Sequence, residues 1–520
     1  MKKNSRTKNT IYNFISSIGG QFVTILMQFV VRTIFIQTLG KSYLGINGLF
    51  SNILSMLSLA ELGVGNAILF KLYKPLSDQN EKRITILVRF YKKVYTIIGI
   101  TVAAIGIFLI PFLRYIINDY NKLNALGINA ILIYLLFLFK SVSSYLFFAY
   151  KSAVVKADQR EYLLNIISYG FTLISSIVEI ITLLVFRSFE LYVIIMVIST
   201  ILQNMVNAII ANKLYPCIKN KTEETLDKKE IKEIFKDCSA IFLYKLNGVV
   251  LKATDNIVIS AILGLEMVGM YSNYYILYTT INTVFSKIFD SVVHSLGNLH
   301  VKKDTDHEYR VFKTVNLIAI MLGSTAGIGI FIVSNNFIYA WLGKEWMLAQ
   351  PFALLMGIEI YTLVNRVYLS KYRNAMGLFQ QAKYRPLFGM IINLVASIIL
   401  VKYWGICGVL VGTIIADWTT LMWFDPLIIH KYGFENKFSV KKFYLRNINY
   451  LIITAGLGLG LMLITNNVLI NHGWITVIVH AILCGITVPL VFTLIYSKKE
   501  EFKNINKIKR KILKKLHLAK

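Results

Sequence analysis

Long apolar runs recur along the whole chain and alternate with short polar segments. Fourteen of these runs are long or apolar enough to be interpreted as membrane-spanning helices. A transmembrane barrel would instead show alternating segments of about ten residues. The pattern therefore predicts an all-α polytopic membrane protein, in which the eleventh and thirteenth runs are the shortest. The runs cover residues 11–37, 44–70, 94–113, 128–150, 162–186, 191–214, 239–263, 268–296, 315–334, 352–370, 387–401, 406–429, 451–465 and 474–496.

Composition agrees with this interpretation. Of the 520 residues, 56% are hydrophobic and only 16% are charged, whereas soluble domains contain about 25% charged residues. The net charge of +29 would suit a nucleic-acid-binding protein, but the basic residues lie in alternate loops rather than on one domain. The four cysteines are scattered, so we predict neither a disulfide framework nor a metal site.

The distribution of Lys and Arg predicts the orientation in the membrane. With the N-terminus placed inside, inner segments hold 44 of the 56 basic residues, outer loops hold six, and six lie within spans. Positive charge accumulates on the cytoplasmic side, so both termini are predicted to be cytoplasmic. The first apolar run is too long for a signal peptide and is interpreted as an uncleaved span. We expect a multi-pass membrane protein.

Two short echoes indicate an internal repeat. Leu-Gly, three residues, an aliphatic residue and Gly occur at 39–45 and again at 263–269, an offset of 224. The segment Lys151-Ser152-Ala153, with a Gln and a Tyr downstream, matches Arg373-Asn374-Ala375 at an offset of 222. The repeat unit is therefore six spans. An even number of spans makes the two halves parallel, related by an axis along the membrane normal.

The fold class that follows has about fourteen transmembrane helices: two parallel six-helix lobes around a central cavity, plus two C-terminal helices. In the tail, five apolar residues share a helical face opposite lysines, which predicts an anchor on anionic lipid. They are Phe502, Ile505, Ile508, Ile512 and Leu516. The predicted segments are the N-lobe at 1–215, a cytoplasmic linker at 216–238, the C-lobe at 239–430, spans thirteen and fourteen at 431–497 and a basic amphipathic cytoplasmic tail at 498–520.

Six basic residues lie inside the predicted spans, where a charge at the bilayer centre costs about 2.5–3.5 kcal/mol. Such residues usually face a water-filled cavity, where they can bind an anion. Arg32 lies near a span end and could instead extend to the outer headgroups, whereas Lys140 is too deep to do so easily. The six are Arg32, Lys140, Lys245, Lys252, Lys287 and Arg366.

The spans hold equally many acidic residues, so some charges are expected to pair. Asp255 lies three residues beyond Lys252, which leaves Lys252 open to two roles: an ion pair or a substrate contact. Lys287, Asp290 and His294 share a helix face and favour pairing among themselves. Glu359 shares a face with Arg366. The acidic residues are Glu61, Glu179, Asp255, Asp290, Glu359 and Asp417.

Three segments near the N-terminus carry a family resemblance. Residues 29–32 end the first span with Arg32, a Leu-Gly turn and an aromatic-aliphatic-Gly step follow at 39–50, and 58–65 end the second span with an acidic-Leu-Gly-small-Gly pattern. This region resembles the bacterial polysaccharide flippases of the multidrug/oligosaccharidyl-lipid/polysaccharide exporter superfamily. The resemblance implies translocation of a polyprenyl-diphosphate-linked oligosaccharide from the inner to the outer leaflet, for capsule, exopolysaccharide or other surface glycan assembly. It assigns a cavity cation by position only to Arg32.

The expected mechanism is alternating access, with the diphosphate held by Arg and Lys. The predicted substrate-binding residues are Arg32, Lys140, Lys245, Lys252 and Arg366, and the predicted coupling or counter-ion residues are Glu61, Asp255 and Glu359. No cofactor is expected beyond a coupling H⁺ or Na⁺. Glycosyltransferases and a polysaccharide polymerase are the expected protein partners, alongside membrane lipids, and no nucleic acid is expected.

Two alternatives stay open at this stage. A cation-coupled (H⁺ or Na⁺) multidrug or metabolite exporter of the same fold would use the intramembrane carboxylates for coupling. A membrane enzyme that polymerises or ligates glycans is disfavoured, because the predicted outer loops are short and the sequence lacks a nucleotide-binding loop or a nucleophile constellation. We therefore expect a transporter rather than an enzyme.

Overall fold

The computed structural model describes residues 6–58, 64–118, 120, 123, 127–220, 224–234, 254–301, 304–378, 380–466 and 473–505. All regular elements among these residues are helices, which confirms the predicted all-α class. Ten helices are long and apolar enough to cross a membrane, and a bent pair at 130–157 forms an eleventh candidate. The chain is a multi-pass membrane protein. It divides into two compact units, Met1–Gly269 and Met270–Lys520.

Unit 1 contains the first eight helices and the beginning of the ninth. The bend after α5 follows from Phe148, whose φ of 63° places it in the left-handed region and ends the helix. The helices are α1 (Arg6–Leu39), α2 (Lys41–Leu57), α3 (Val64–Ser77), α4 (Glu81–Phe108), α5 (Ala130–Leu146), α6 (Glu161–Val185), α7 (Phe189–Leu214), α8 (Thr254–Leu263) and α9 (Leu265–Val301).

Unit 2 contains the remainder of α9 and six further helices. Its centre is an aromatic cluster around Phe312, whose ring is fully buried and contacts Tyr368, Tyr372 and Phe443. The helices are α10 (Thr305–Leu342), α11 (Gln350–Ala375), α12 (Arg385–Trp404), α13 (Ile406–Ile428), α14 (Val440–Thr465) and α15 (Trp474–Tyr496).

The same helix pairs recur in the two units. In unit 1, α4 packs on α5, α5 on α7, and α6 on α7; in unit 2, α10 packs on α11, α11 on α13, and α12 on α13. Helices α14 and α15 both pack on α10, and no helix in the described part of unit 1 corresponds to them. This packing order is what an internal six-span repeat predicts.

The first sequence echo has a structural reason within unit 1. Gly40 and Gly264 adopt φ of 86° and 88°, a left-handed conformation that favours glycine, and each starts the following helix. A Cβ on Gly45 would lie 2.0 Å from the Leu265 carbonyl oxygen, and one on Gly269 would lie 2.5 Å from that of Lys41. The start of α2 and the first turn of α9 therefore cross at backbone contact, in a reciprocal arrangement.

The second echo also corresponds to a repeated contact. Lys151 donates a hydrogen bond to Asn212 Oδ1 at 2.9 Å, which joins the end of the bent α5 segment to the end of α7. Arg373 donates to Asp425 Oδ1 at 2.7 Å, which joins the end of α11 to the end of α13. In both units, a basic side chain thus ties the same two helix ends together.

Most predicted spans correspond to helices, with differences at three places. The short eleventh and thirteenth runs are 20-residue α12 and 26-residue α14. The second run is described as two helices, α2 and α3, and residues 59–63 between them lie outside the described residues. The seventh is described only over α8, and the eighth corresponds to α9, which is not among the ten candidates.

The boundary between the units falls one helix later than the predicted lobe boundary, because α8 groups with unit 1. The described parts of the predicted linker, 216–220 and 224–234, pack on the protein. Leu226 and Ile234 are buried, and Lys71, Lys82 and Arg83 form ion pairs with Glu233, Glu224 and Glu230 respectively. This segment therefore docks on the ends of α3 and α4.

The start of the tail packs on protein, which corrects the prediction that it lies on lipid. Phe502 and Ile505 pack against a buried cluster of α10, α11, α14 and α15. Glu501 Oε1 lies 3.1 Å from Arg446 Nη1 and 3.8 Å from Lys313 Nζ. These ion pairs fix the segment in unit 2. Residues 506–520 lie outside the described residues.

Candidate functional site

Four polar side chains from four helices of unit 1 form what we call the unit 1 charge cluster: Arg32 of α1, Lys140 of α5, Glu179 of α6 and Tyr192 of α7. Aromatic contacts join α1, α5 and α7 at this level. The Phe35 ring lies 5.1 Å from that of Tyr192 and 5.6 Å from that of Phe189. The Phe137 ring lies 6.4 Å from the Phe189 ring.

The members of this cluster form a chain of interactions from one helix to the next. Arg32 interacts electrostatically with the Tyr192 hydroxyl, Tyr192 with the Glu179 carboxylate, and Glu179 with the Lys140 ammonium. Glu179 and Tyr192 are buried, whereas Arg32 and Lys140 are half-buried. The cluster contains two basic side chains and one carboxyl group, so its formal charge is about +1 when all three are ionised.

Lys140 is the member with the fewest internal contacts. Among the residues that the structure describes, no hydrogen bond or ion pair within 4.0 Å joins its ammonium to an acceptor. Its neighbour Ser141 lies 3.3 Å from the hydroxyl of Ser58. A half-buried ammonium without a direct partner is suited to bind an anion.

Glu179 was not a predicted site residue, although the sequence contains a signal for it. Polar residues follow one face of α6 at helical spacing, while the other face is exposed, with Ile174 at 61% and Ile181 at 51%. Ser176, Glu179 and Thr182 on the polar face are buried. The stripe consists of Asn165, Ser168, Thr172, Ser175, Ser176, Glu179 and Thr182.

A second group, the unit 2 charge cluster, contains Tyr278 of α9, Glu359 and Arg366 of α11, and Asp417 of α13. Arg366 donates through Nη1 to Asp417 Oδ2 at 2.6 Å and through Nη2 to the Tyr278 hydroxyl at 2.7 Å. The Tyr278 hydroxyl donates to Glu359 Oε1 at 3.4 Å. Asp417 and Glu359 are 3% and 2% exposed. Arg366 therefore has a direct internal counter-ion, unlike Lys140.

This geometry favours a structural role for Arg366, and stability measurements test it. Arg366→Met leaves Asp417 buried without its cation, so we expect a loss of about 3–5 kcal/mol of folding free energy. The double variant Arg366→Met/Asp417→Leu should recover most of that loss, because an apolar pair replaces the ion pair. The measurement is the thermal unfolding midpoint of the purified protein in detergent. Unchanged stability of the single variant, with transport lost, would instead favour a substrate contact.

The other predicted site residues are distributed as follows. Lys245, Lys252 and Glu61 lie outside the described residues. Asp255 is buried in α8.

Asp290 has a partner on another helix. Its ion pair is with Lys371 and joins α9 to α11. The side chain of His294, which the expected pairing within α9 also includes, lies outside the described residues.

A third ionic group joins three helix ends of unit 2 and was not predicted. Asp425 Oδ1 accepts from Arg373 at 2.7 Å and also contacts Arg385, and Ser370 donates to Asp425 Oδ2 at 3.4 Å. Asp425 and Arg373 side chains are 0% and 1% exposed. Sequence reasoning placed both arginines in an inner loop, where basic residues are ordinary. Their burial makes this group part of the fold rather than of a binding surface.

The sequence matches a known protein family. Residues 39–351, more than half of the chain, match the model of a family described as polysaccharide biosynthesis protein. The chain belongs to this family. The match includes the Leu-Gly turn and the end of the second span on which the resemblance rested, and that resemblance is confirmed. No curated protein matches the sequence of this polysaccharide biosynthesis family member.

Solved structures of membrane transporters share the fold of this family member. The lipid II flippase MurJ, in an inward closed conformation, has a TM-score of 0.69 and 14% identity, covering 93% of this chain and 99% of that one. A multidrug resistance MATE family transporter of the MOP superfamily, inward-facing, has a TM-score of 0.61 and 13% identity, covering 80% and 96%. An outward-facing conformation of a multidrug resistance MATE family transporter of the MOP superfamily has a TM-score of 0.53 at 13% identity, covering 84% and 98%. At these identities the likeness establishes the fold.

Proposed function

We propose that this protein is a flippase that moves a polyprenyl-diphosphate-linked oligosaccharide from the inner to the outer leaflet of the bacterial cytoplasmic membrane. The observation that carries the proposal is Lys140, a half-buried intramembrane ammonium without a direct partner among the described residues, in a cluster with Arg32. Membership of a polysaccharide biosynthesis family supports a substrate that carries a glycan. A diphosphate group is the anion that such a lipid carrier would present to these cations.

The charges suit this substrate better than an uncharged one. A diphosphate that links a lipid to a sugar carries about two negative charges at neutral pH, and hydrogen bonds between ionised groups contribute about 1.5–3 kcal/mol each. An Arg can bind two phosphate oxygens at once, whereas a Lys acts as a mobile point charge. Arg32 and Lys140 would thus hold the diphosphate, while the polyprenyl chain stays in lipid.

Alternating access is the proposed mechanism, with loading from the cytoplasmic side and both termini cytoplasmic. It is supported by the fold, since similar transporters have been solved in inward-facing and outward-facing conformations. We propose transport without a covalent reaction, with H⁺ or Na⁺ as the only candidate coupling ion. Glycosyltransferases that build the repeat unit and a polymerase that extends it are the proposed partners. Capsule or exopolysaccharide is the proposed product.

Reconstitution tests this function directly. In proteoliposomes loaded with a polyprenyl-diphosphate-linked oligosaccharide, we expect the glycan in the opposite leaflet to become accessible to an added lectin or glycosidase at a rate that depends on the protein. Empty liposomes, and liposomes with heat-denatured protein, are the controls. Absence of translocation for lipid-linked glycans, combined with uptake of a cationic dye along a proton or sodium gradient, would overturn the proposal.

Uptake of a cationic dye without translocation of lipid-linked glycans would support the alternative function, a cation-coupled exporter of drugs or metabolites. The observation that favours it is the unit 2 charge cluster, in which two buried carboxylates, Glu359 and Asp417, share one arginine. Intramembrane carboxylates of this kind are typical of ion-coupled carriers. Asp255 and Glu61 stay predicted coupling or counter-ion sites in this alternative.

A further inference from the structure

Glu179 is a carboxylate on a helix that otherwise faces lipid along much of its surface. It is 9% exposed and lies within the polar stripe of α6, between buried Ser176 and Thr182. An ionised carboxylate inside the membrane raises the free energy of the protein unless it pairs with a cation or faces a water-filled cavity. Its position therefore requires a reason beyond packing.

The contacts between α1 and α6 place Glu179 at the level of Arg32. The two helices run parallel: the Tyr12 ring lies 5.5 Å from that of Tyr162, Ser16 accepts from Asn165 at 3.4 Å, and Gly20 packs directly on the Tyr169 ring. Arg32 lies twelve residues beyond Gly20 in α1, and residue 181 lies twelve residues beyond Tyr169 in α6. Glu179 is two residues away, an axial separation of about 3 Å.

The neighbouring helices complete the surroundings of Glu179. From α5, the Lys140 ammonium interacts with its carboxylate, and from α7, the Tyr192 hydroxyl does so. Tyr192 in turn interacts with Arg32 of α1. Glu179 thus interacts with Lys140 and is linked to Arg32 through Tyr192.

The interaction with Lys140 is looser than the ion pair of unit 2. Asp417 contacts Arg366 at 2.6 Å, whereas no ion pair within 4.0 Å joins Glu179 and Lys140, both of which the structure describes. A counter-ion at longer range offsets the charge of Lys140 without occupying its hydrogen-bonding positions. Those positions stay available to an incoming phosphate oxygen.

We propose that Glu179 is an internal counter-ion that limits how tightly the cluster holds the substrate diphosphate, so that the substrate can be released. This inference rests on the proposed function. With Glu179 ionised, the cluster carries about +1 against about −2 on the diphosphate; without that carboxylate, the charges would match. Glu179 would accordingly be a positioning residue that raises turnover at the expense of affinity.

The test compares Glu179→Gln, which keeps the size and removes the charge, with wild type. The probe is a polyprenyl-diphosphate-linked N-acetylglucosamine, used for equilibrium binding in detergent and for translocation in proteoliposomes. We expect binding about tenfold tighter, the scale of one partly screened like-charge interaction, together with slower translocation and a lower apparent KM. Glu179→Asp, which restores the charge, should return both quantities toward wild type.

The matched control is Glu190→Gln, at the start of α7, where the carboxylate accepts a hydrogen bond from Ser188 at 2.9 Å. It should leave binding and translocation unchanged. Equal or weaker binding by Glu179→Gln, at unchanged thermal stability, would overturn the inference while leaving the flippase intact. No binding of the probe by wild type would overturn both. If Glu179 had only a structural role, Glu179→Gln would lower thermal stability and binding affinity together. That result would also overturn the inference.

Discussion

The variant Arg32→Gln/Lys140→Gln is expected to abolish surface polysaccharide while the protein still inserts into the membrane. Each cation is proposed to contribute a charge-assisted contact of about 1.5–3 kcal/mol to the diphosphate. Loss of both, about 3–6 kcal/mol, corresponds to a reduction of about a hundredfold to ten-thousandfold in binding. The measurements are the amount of cell-surface glycan in a strain that carries only the variant, and the amount of variant protein in the membrane fraction.

Two control variants separate the effect from a general loss of positive charge. Arg187→Gln and Lys402→Gln remove exposed basic residues outside the cluster, and both should support normal glycan. Membrane insertion of the double variant should be unimpaired, because neutral side chains within a span lower the cost of insertion. Normal surface glycan in cells with the double variant would contradict the assignment of the cluster.

Glu179 requires one further variant in this experiment. With Arg32 and Lys140 neutralised, its buried carboxylate loses its neighbouring cation, which could itself destabilise unit 1. Adding Glu179→Gln removes that charge, so the triple variant should be as stable as wild type and remain inactive. A triple variant that regains transport would show that the two cations serve only to balance Glu179.

The span pattern could be predicted from sequence because apolar length and Lys/Arg distribution are local properties. Residues 387–401 were identified as a span although they are short, and α12 extends them on both sides. The Leu-Gly echo was recognised, but not its reason, since the contact between Gly45 and Leu265 joins segments more than 200 residues apart. The distance between two helices cannot be read from a single sequence.

The same limit explains which site residues were predicted. Arg32 and Lys140 stand out because a charge is unusual in an apolar run. Whether such a charge is paired depends on other helices: Arg366 has Asp417 of α13 as its counter-ion, and this could not be read from α11. Glu179 was visible as an acidic residue, and the polar stripe of α6 would have distinguished it, because spacing along one helix is available from sequence.

Asp425→Asn is expected to prevent stable folding of unit 2. Asp425 is the carboxylate that contacts both Arg373 and Arg385, whose side chains are 1% and 7% exposed. Breaking a buried ionic group by removing one partner costs about 3–5 kcal/mol, which is a large fraction of the roughly 5–15 kcal/mol that stabilises a domain. The expected result is loss of the monodisperse peak in size-exclusion chromatography and a sharp fall in membrane-inserted protein.

An exposed ion pair of the same unit is the matched control. Lys437 and Asp306 lie 2.6 Å apart, but their side chains are 50% and 57% exposed. Asp306→Asn should therefore cost less than about 1 kcal/mol and leave the chromatographic profile unchanged. Similar behaviour of Asp425→Asn and Asp306→Asn would contradict the structural role of the buried group.

A rescue variant identifies uncompensated charge as the cause. In Arg373→Met/Arg385→Met/Asp425→Leu all three charges are replaced by apolar groups, and stability should return close to that of wild type. The corresponding contact in unit 1 is between Lys151 and the neutral amide of Asn212, and both side chains are half-buried. Because Asn212→Ala removes one hydrogen bond and exposes no buried charge, it should cost only about 1 kcal/mol. The repeated contact is thus expected to contribute much more to folding stability in unit 2 than in unit 1. A comparison of Asp425→Asn with Asn212→Ala measures that difference.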